Sequence, residues 1–247
     1  MPASFPMDEF RAFGLATRPF FPPVLSSEDL SDSLHRRTNF DWSWQAVRYR
    51  YRSAAEASEE FRALLANPSE TWVAGLGDEE FTYKLEHCIY TFFLSAFSVF
   101  DSFAYCLYFL GHSLQPAAFP CAATPRKITQ WRTAQAFKAA FPEAAITSAL
   151  AGLATEERFR QLDELRNILA HRLSGRRSIR ASSTLELDGV HTNWYEEKWH
   201  IPGASESPIF DQEMLQRYLD YVADMLRPVI ASAREFAEHS QIAKATV

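Results

Sequence analysis

Residues 155–173 read TEERFRQLDELRNILAHRL, and their spacing decides the fold class. Phe159, Leu162, Leu165, Leu169 and Leu173 recur every three or four positions, the pattern of an amphipathic helix with one apolar face. Arg166 interrupts that face. On a helical wheel stepping about 100° per residue, Leu162, Leu169 and Leu173 fall to one side of it, and Phe159 and Ala170 to the other. A guanidinium is rarely buried without a partner, because desolvating an unpaired charge is expensive. The sequence therefore demands a compensating group. At the polar flank of the same stripe, five residues on, comes His171, one turn after Asn167.

Outward from this helix the chain is predicted to be all-α. Trp42 to Leu65 is rich in Ala, Glu and Arg and ends at Asn67-Pro68. Glu79 to Leu110 is expected to be the longest helix, closed by Gly111. A loop over Pro116–Pro125 precedes a helix from Arg126 to Ala140, and Pro142 opens a short one running to about Leu153. Ser174-Gly175 stops the helix carrying Arg166. Residues 178–201 change character. The alternation around Thr184–Leu187, the pair Asp188-Gly189, and then Trp194, Tyr195, Lys198, Trp199 and His200 predict a β-hairpin. Ser207 and Pro208 make a helix start, a capping serine before a first-turn proline, and that last helix runs to about His239 with a kink at Pro228. The expectation is one helical bundle over residues 1–247, with the hairpin inserted near 178–201 and residues 1–40, rich in proline, as an irregular N-terminal arm.

Composition bounds the function. With 47% hydrophobic residues and 20 Phe the chain is not of the disordered class, and it is long enough to bury a large core. A net charge of -6 gives no general attraction to nucleic acid, so any such contact needs a local basic patch. Arg172, Arg176, Arg177 and Arg180 supply one directly after His171, although a solvated turn would read the same way. A second cluster interleaves Trp42, Trp44, Tyr49 and Tyr51 with Arg48, Arg50 and Arg52. Alternating aromatic and basic side chains can stack bases and grip phosphates. At helical spacing the simpler reading is a core stripe beside a solvated face.

Three cysteines, Cys88, Cys106 and Cys121, are too few and scattered for a disulfide framework or a zinc cluster, and a reducing, cytoplasmic location is expected. The seven histidines lack partners at metal spacing, and eight glycines form no phosphate loop, so no metal or cofactor is expected. Cys88 to Leu110 spans 23 residues with Asp101 as its only formal charge. That length could cross a bilayer. Its serines, and a charge costing about 3 kcal/mol at the bilayer centre, favour a buried core helix, and no membrane is expected as a partner. The lone carboxylate of Asp101 is then the economical partner for Arg166, with Glu86 as an alternative.

The run Arg166-Asn167-Ile168-Leu169-Ala170-His171 resembles the signature of the HEPN superfamily, nucleotide-binding domains of higher eukaryotes and prokaryotes. In that family an Arg, often followed by a polar residue, precedes a His after a short spacer near the end of a helix. The resemblance is anchored on six residues and one helix pair, with Asp101 as the inward acidic residue of the preceding long helix. It implies a metal-independent endoribonuclease, acting as a toxin, abortive-infection factor or RNA-processing enzyme. It also implies a homodimer whose two motif helices line one cleft, an RNA substrate and, in the toxin case, an antitoxin partner. On that reading Arg166 and His171 are catalytic, Asn167 and Asp101 support them, and Arg172, Arg176, Arg177 and Arg180 hold the RNA backbone. Some active members carry a Tyr two residues after the His, where this chain has Leu173. Other members are non-catalytic dimerisation or nucleotide-binding modules, which is the alternative.

Overall fold

A computed structural model describes residues 5–21, 30–66, 79–120, 127–171, 176–185, 191–200, 209–210 and 213–245. The described chain is all-α in class, as the periodicity predicts. Seven α-helices occur among the described residues: α1 Met7–Thr17, α2 Leu30–Ala66, α3 Glu79–Leu114, α4 Gln130–Ala140, α5 Ala145–Thr155, α6 Glu157–His171 and α7 Met214–Ala245. A 3-10 turn, Arg18–Phe20, follows α1.

Several boundaries correct the sequence reading. The stretch expected to be an irregular arm contains α1, and α2 begins at Leu30 rather than Trp42. At 37 residues α2 is longer than α3, which has 36. Gly111 does not close α3 but lies inside it. A Cβ at Gly111 would stand 2.6 Å from the Phe119 ring, so the glycine is there to let that ring approach. The last helix starts at Met214, not at Ser207, and carries Pro228 in its interior. Thr129 caps α4, its hydroxyl accepting from the Arg132 N–H at 3.3 Å.

Over the segment expected to form a hairpin, the backbone of β1 Arg176–Leu185 runs antiparallel to β2 His191–His200, with Arg176 opposite His200, and β3 Ile209–Phe210 flanks β2. The turn expected at Asp188-Gly189 and the strands' side chains lie outside the described residues.

The chain divides into two compact units. One comprises Met1–Tyr51, Ser98–Arg160 and Tyr221–Val247, the other Arg52–Phe97 and Gln161–Asp220. The first is built on aromatic packing. Phe10 stacks on Trp44 with ring centroids 3.4 Å apart, and Phe119 packs edge-on against Tyr108 and Phe137. Buried His112 bonds through Nδ1 to the Phe119 carbonyl at 2.5 Å. Arg227 of α7 pairs with Glu9 of α1 at 2.9 Å. The Glu9 carboxyl is held below its ordinary range, first by a hydrogen bond from its own backbone N–H and further by Arg227. In the second unit Leu85, Cys88, Phe92 and Phe93 of α3, Leu162 and Leu165 of α6, and Leu215 and Leu219 of α7 are buried, with Tyr218 edge-on to Phe93.

Of the described helices, α3 alone is long and apolar enough to cross a membrane, and 72% of its most apolar window is buried inside the protein. That burial is what a core helix requires.

Candidate functional site

Arg166 is placed by two opposing demands. The apolar stripe of α6 buries Leu162 and Leu165, which fixes the rotation of the helix and carries the Arg166 side chain inward with them. The guanidinium then needs company. Its carbon lies 4.1 Å from the centre of the Phe97 ring, over the ring face. Its Nη2 donates to Oδ1 of Asp163, three residues earlier on the same helix, at 2.7 Å. The expected pair with Asp101 is therefore replaced by an intrahelical one. Arg166 remains 27% exposed and Asp163 41% exposed, so the pair is only half-buried.

The same Asp163 oxygen also accepts from Nδ2 of Asn167 at 3.1 Å. One carboxylate oxygen thus holds both polar members of the motif, and a full turn of helix leads from them to His171, the last residue of α6. The Arg166 Nε is buried and has no hydrogen-bond partner among the described residues. A buried orphan donor on a charged group is costly, on the order of 1–3 kcal/mol.

The remaining predicted residues divide into two sets. Asp101 belongs to the first unit, where it is half-buried and lines a groove of about 500 Å³ with Asn39, Trp42, Arg50 and Tyr105. Arg176, Arg177 and Arg180 lie on β1, and their side chains, that of His171, and the whole of Arg172 fall outside the described residues. Sequence reasoning missed two residues. Asp163 had a signal, since an acidic residue three and four positions before Arg166 and Asn167 shares their helix face. Phe97 had none beyond lying one turn before Asp101.

The aromatic-basic stretch of α2 is sorted by the wheel. Tyr51 is buried and Trp44 lies under Phe10, while Trp42 and Tyr49 are 69% and 74% exposed. Among the described residues no three His, Cys, Asp or Glu side chains come together to hold a metal ion. Compared with protein-family models, characterised proteins and solved structures, the chain matches none.

Proposed function

We propose that this protein is a metal-independent endoribonuclease of the HEPN type, with Arg166 and His171 as its catalytic residues. The observation that carries the reading is the shared Asp163 oxygen, which fixes Arg166 and Asn167 one turn before His171. RNA brings its own nucleophile. His171 takes the proton of a 2′-OH, whose oxygen attacks the adjacent phosphorus. The bond from phosphorus to the 5′-oxygen breaks and that oxygen gains a proton, leaving a 2′,3′-cyclic phosphate and a 5′-hydroxyl. A histidine with an ordinary pKa near 6.5 suits both transfers. Arg166 stabilises the extra negative charge on the phosphorane-like transition state through the donors Asp163 does not occupy. In this reading the site is completed across a homodimer, Arg172, Arg176, Arg177 and Arg180 grip flanking phosphates, and the protein acts in the cytoplasm as a toxin or defence effector.

The test is cleavage of total RNA in EDTA by the wild type, Arg166→Ala and His171→Ala. Cleavage by the wild type alone, with cyclic-phosphate ends, is the expected result. Equal cleavage by all three, or none by the wild type, removes the assignment. A second reading has its own observation. Asp163 and the Phe97 ring already give Arg166 what a structural arginine needs, which suits a non-catalytic interaction module.

A further inference from the structure

Trp42 and Tyr49 stand out on the surface of α2. They lie seven residues apart, so they share one helix face about 10 Å apart along the axis. Side chains this large, 69% and 74% exposed, leave much of two aromatic surfaces in water. Arg48 and Arg50 flank them, and neither has a carboxylate partner among the described residues. Between Arg36 and Tyr51 the chain carries four arginines and one aspartate, a local charge of +3 in a protein of net charge -6. The groove of about 500 Å³ opens beside Trp42 and Arg50, and its wall carries Asn39, Asp101, Ser102 and Tyr105. Tyr105 is held in place by donating to Asn39 Oδ1 at 3.1 Å.

We infer that this face of α2 binds single-stranded RNA, with bases stacked on Trp42 and Tyr49 and phosphates against Arg48 and Arg50. The inference rests on the reading of RNA as substrate. Exposed aromatic rings accept any base, and flanking unpaired guanidinium groups meet the backbone between two stacked bases. Asp101 and Ser102 on the groove wall supply an acceptor and a hydroxyl for the edge of an adjoining unpaired base, as in a loop or overhang. A duplex offers no free faces to Trp42 and Tyr49, so the surface selects single strands.

The probe is a 2′-O-methyl oligouridylate, which cannot be cleaved through its 2′-oxygen, read by fluorescence anisotropy over a salt series. The wild type is expected to bind. Trp42→Ala with Tyr49→Ala weakens binding roughly 10–100-fold with the salt slope unchanged, since stacking carries no counterion release. Arg48→Gln with Arg50→Gln lowers the slope of log affinity against log salt by about 1.4. All four side chains are exposed or half-buried, and an unchanged melting temperature confirms that each variant is folded. Absence of binding by the wild type overturns the inference. So does full binding by the Trp42/Tyr49 variant, including the outcome in which that patch serves a protein partner instead. Cleavage of ordinary RNA separates the two claims. A wild type that binds through Trp42 without cleaving removes the nuclease alone, and one that cleaves with the patch indifferent to binding removes the surface alone.

Discussion

Arg166→Met separates the catalytic reading of the α6 motif from the structural one, because the terms that hold Arg166 nearly cancel. The pair with Asp163 joins groups 27% and 41% exposed, and partly solvated ion pairs of this kind are worth about 0.5–1 kcal/mol. The face of Phe97 adds about 0.5–1 kcal/mol of cation–π attraction. Against these stands the buried, unsatisfied Nε, a penalty of roughly 1–3 kcal/mol. Methionine keeps the unbranched stem, removes the orphan donor and replaces the cation–π contact with a sulfur–aromatic one of about 0.3–1.5 kcal/mol. Asp163 keeps its bond from Asn167 and remains accessible to water. The sum runs from about 1 kcal/mol of destabilisation to about 3 kcal/mol of stabilisation, with stabilisation as the favoured sign. Urea unfolding of wild type and variant measures it, and RNA cleavage in EDTA is assayed on the same preparations. A variant as stable as wild type and without cleavage is the expected result, since an arginine that costs stability is retained for its chemistry. Destabilisation by more than about 2 kcal/mol refutes the reasoning, because Arg166 would then be a brace whose pair and ring contact outweigh its orphan donor.

Two further predictions concern the aromatic unit and the thiols. Gly111→Ala is expected to destabilise by about 1–3 kcal/mol in thermal melting, although alanine favours helix by about 1 kcal/mol, because its Cβ would stand 2.6 Å from a Phe119 ring already packed against Tyr108 and Phe137. Wild-type stability would show that the Phe119 ring has room to move. Cys88 and Cys106 are both pushed up to about 12 from an ordinary 9.0, by burial first, with Glu60 adding at Cys88 and Asp41 at Cys106. Both thiols are therefore expected to resist iodoacetamide in the folded protein near pH 8 and to react after unfolding, as read by peptide mass spectrometry. Because the folded state raises these values, the stability they contribute is present below pH 9.0 and is lost as pH rises from there toward about 12. Rapid native alkylation of either thiol would contradict its burial.

The sequence made the helices legible where one apolar stripe repeats at 3.6-residue spacing, and obscured them where it does not. The residues of α6 and α3 show clear stripes, and both elements sit within a few residues of where the pattern puts them. Helix α1 was hidden because its prolines lie just before and after it, at Pro6 and Pro19, and Gly14 breaks its run of good helix formers. The reason for Gly14 is tertiary. A Cβ there would stand 2.8 Å from the Trp44 indole, a contact no local pattern announces. Gly111 misleads in the same way, since a glycine near a helix end looks like a terminator until Phe119 is seen above it.

The site was half legible for a related reason. Charge counting alone pairs the two lone opposite charges, Arg166 and Asp101, and it points to the right helix. The structure brings Arg166 to α3 one turn earlier, at Phe97, and supplies the carboxylate from Asp163 on α6 itself. A fully buried Arg–Asp pair would have to desolvate two ions, a cost its Coulomb attraction often fails to offset. An aromatic face is already dry and desolvates nothing ionic, while Asp163 stays half in water and loses little of its hydration. The cheaper arrangement neutralises the guanidinium with one partner at the surface and one ring in the core, and it leaves part of the guanidinium open. Because Asn167 takes its bond from the same Asp163 oxygen, Asp163→Asn should loosen Arg166 and Asn167 together, whereas Asp101→Asn should leave both in place.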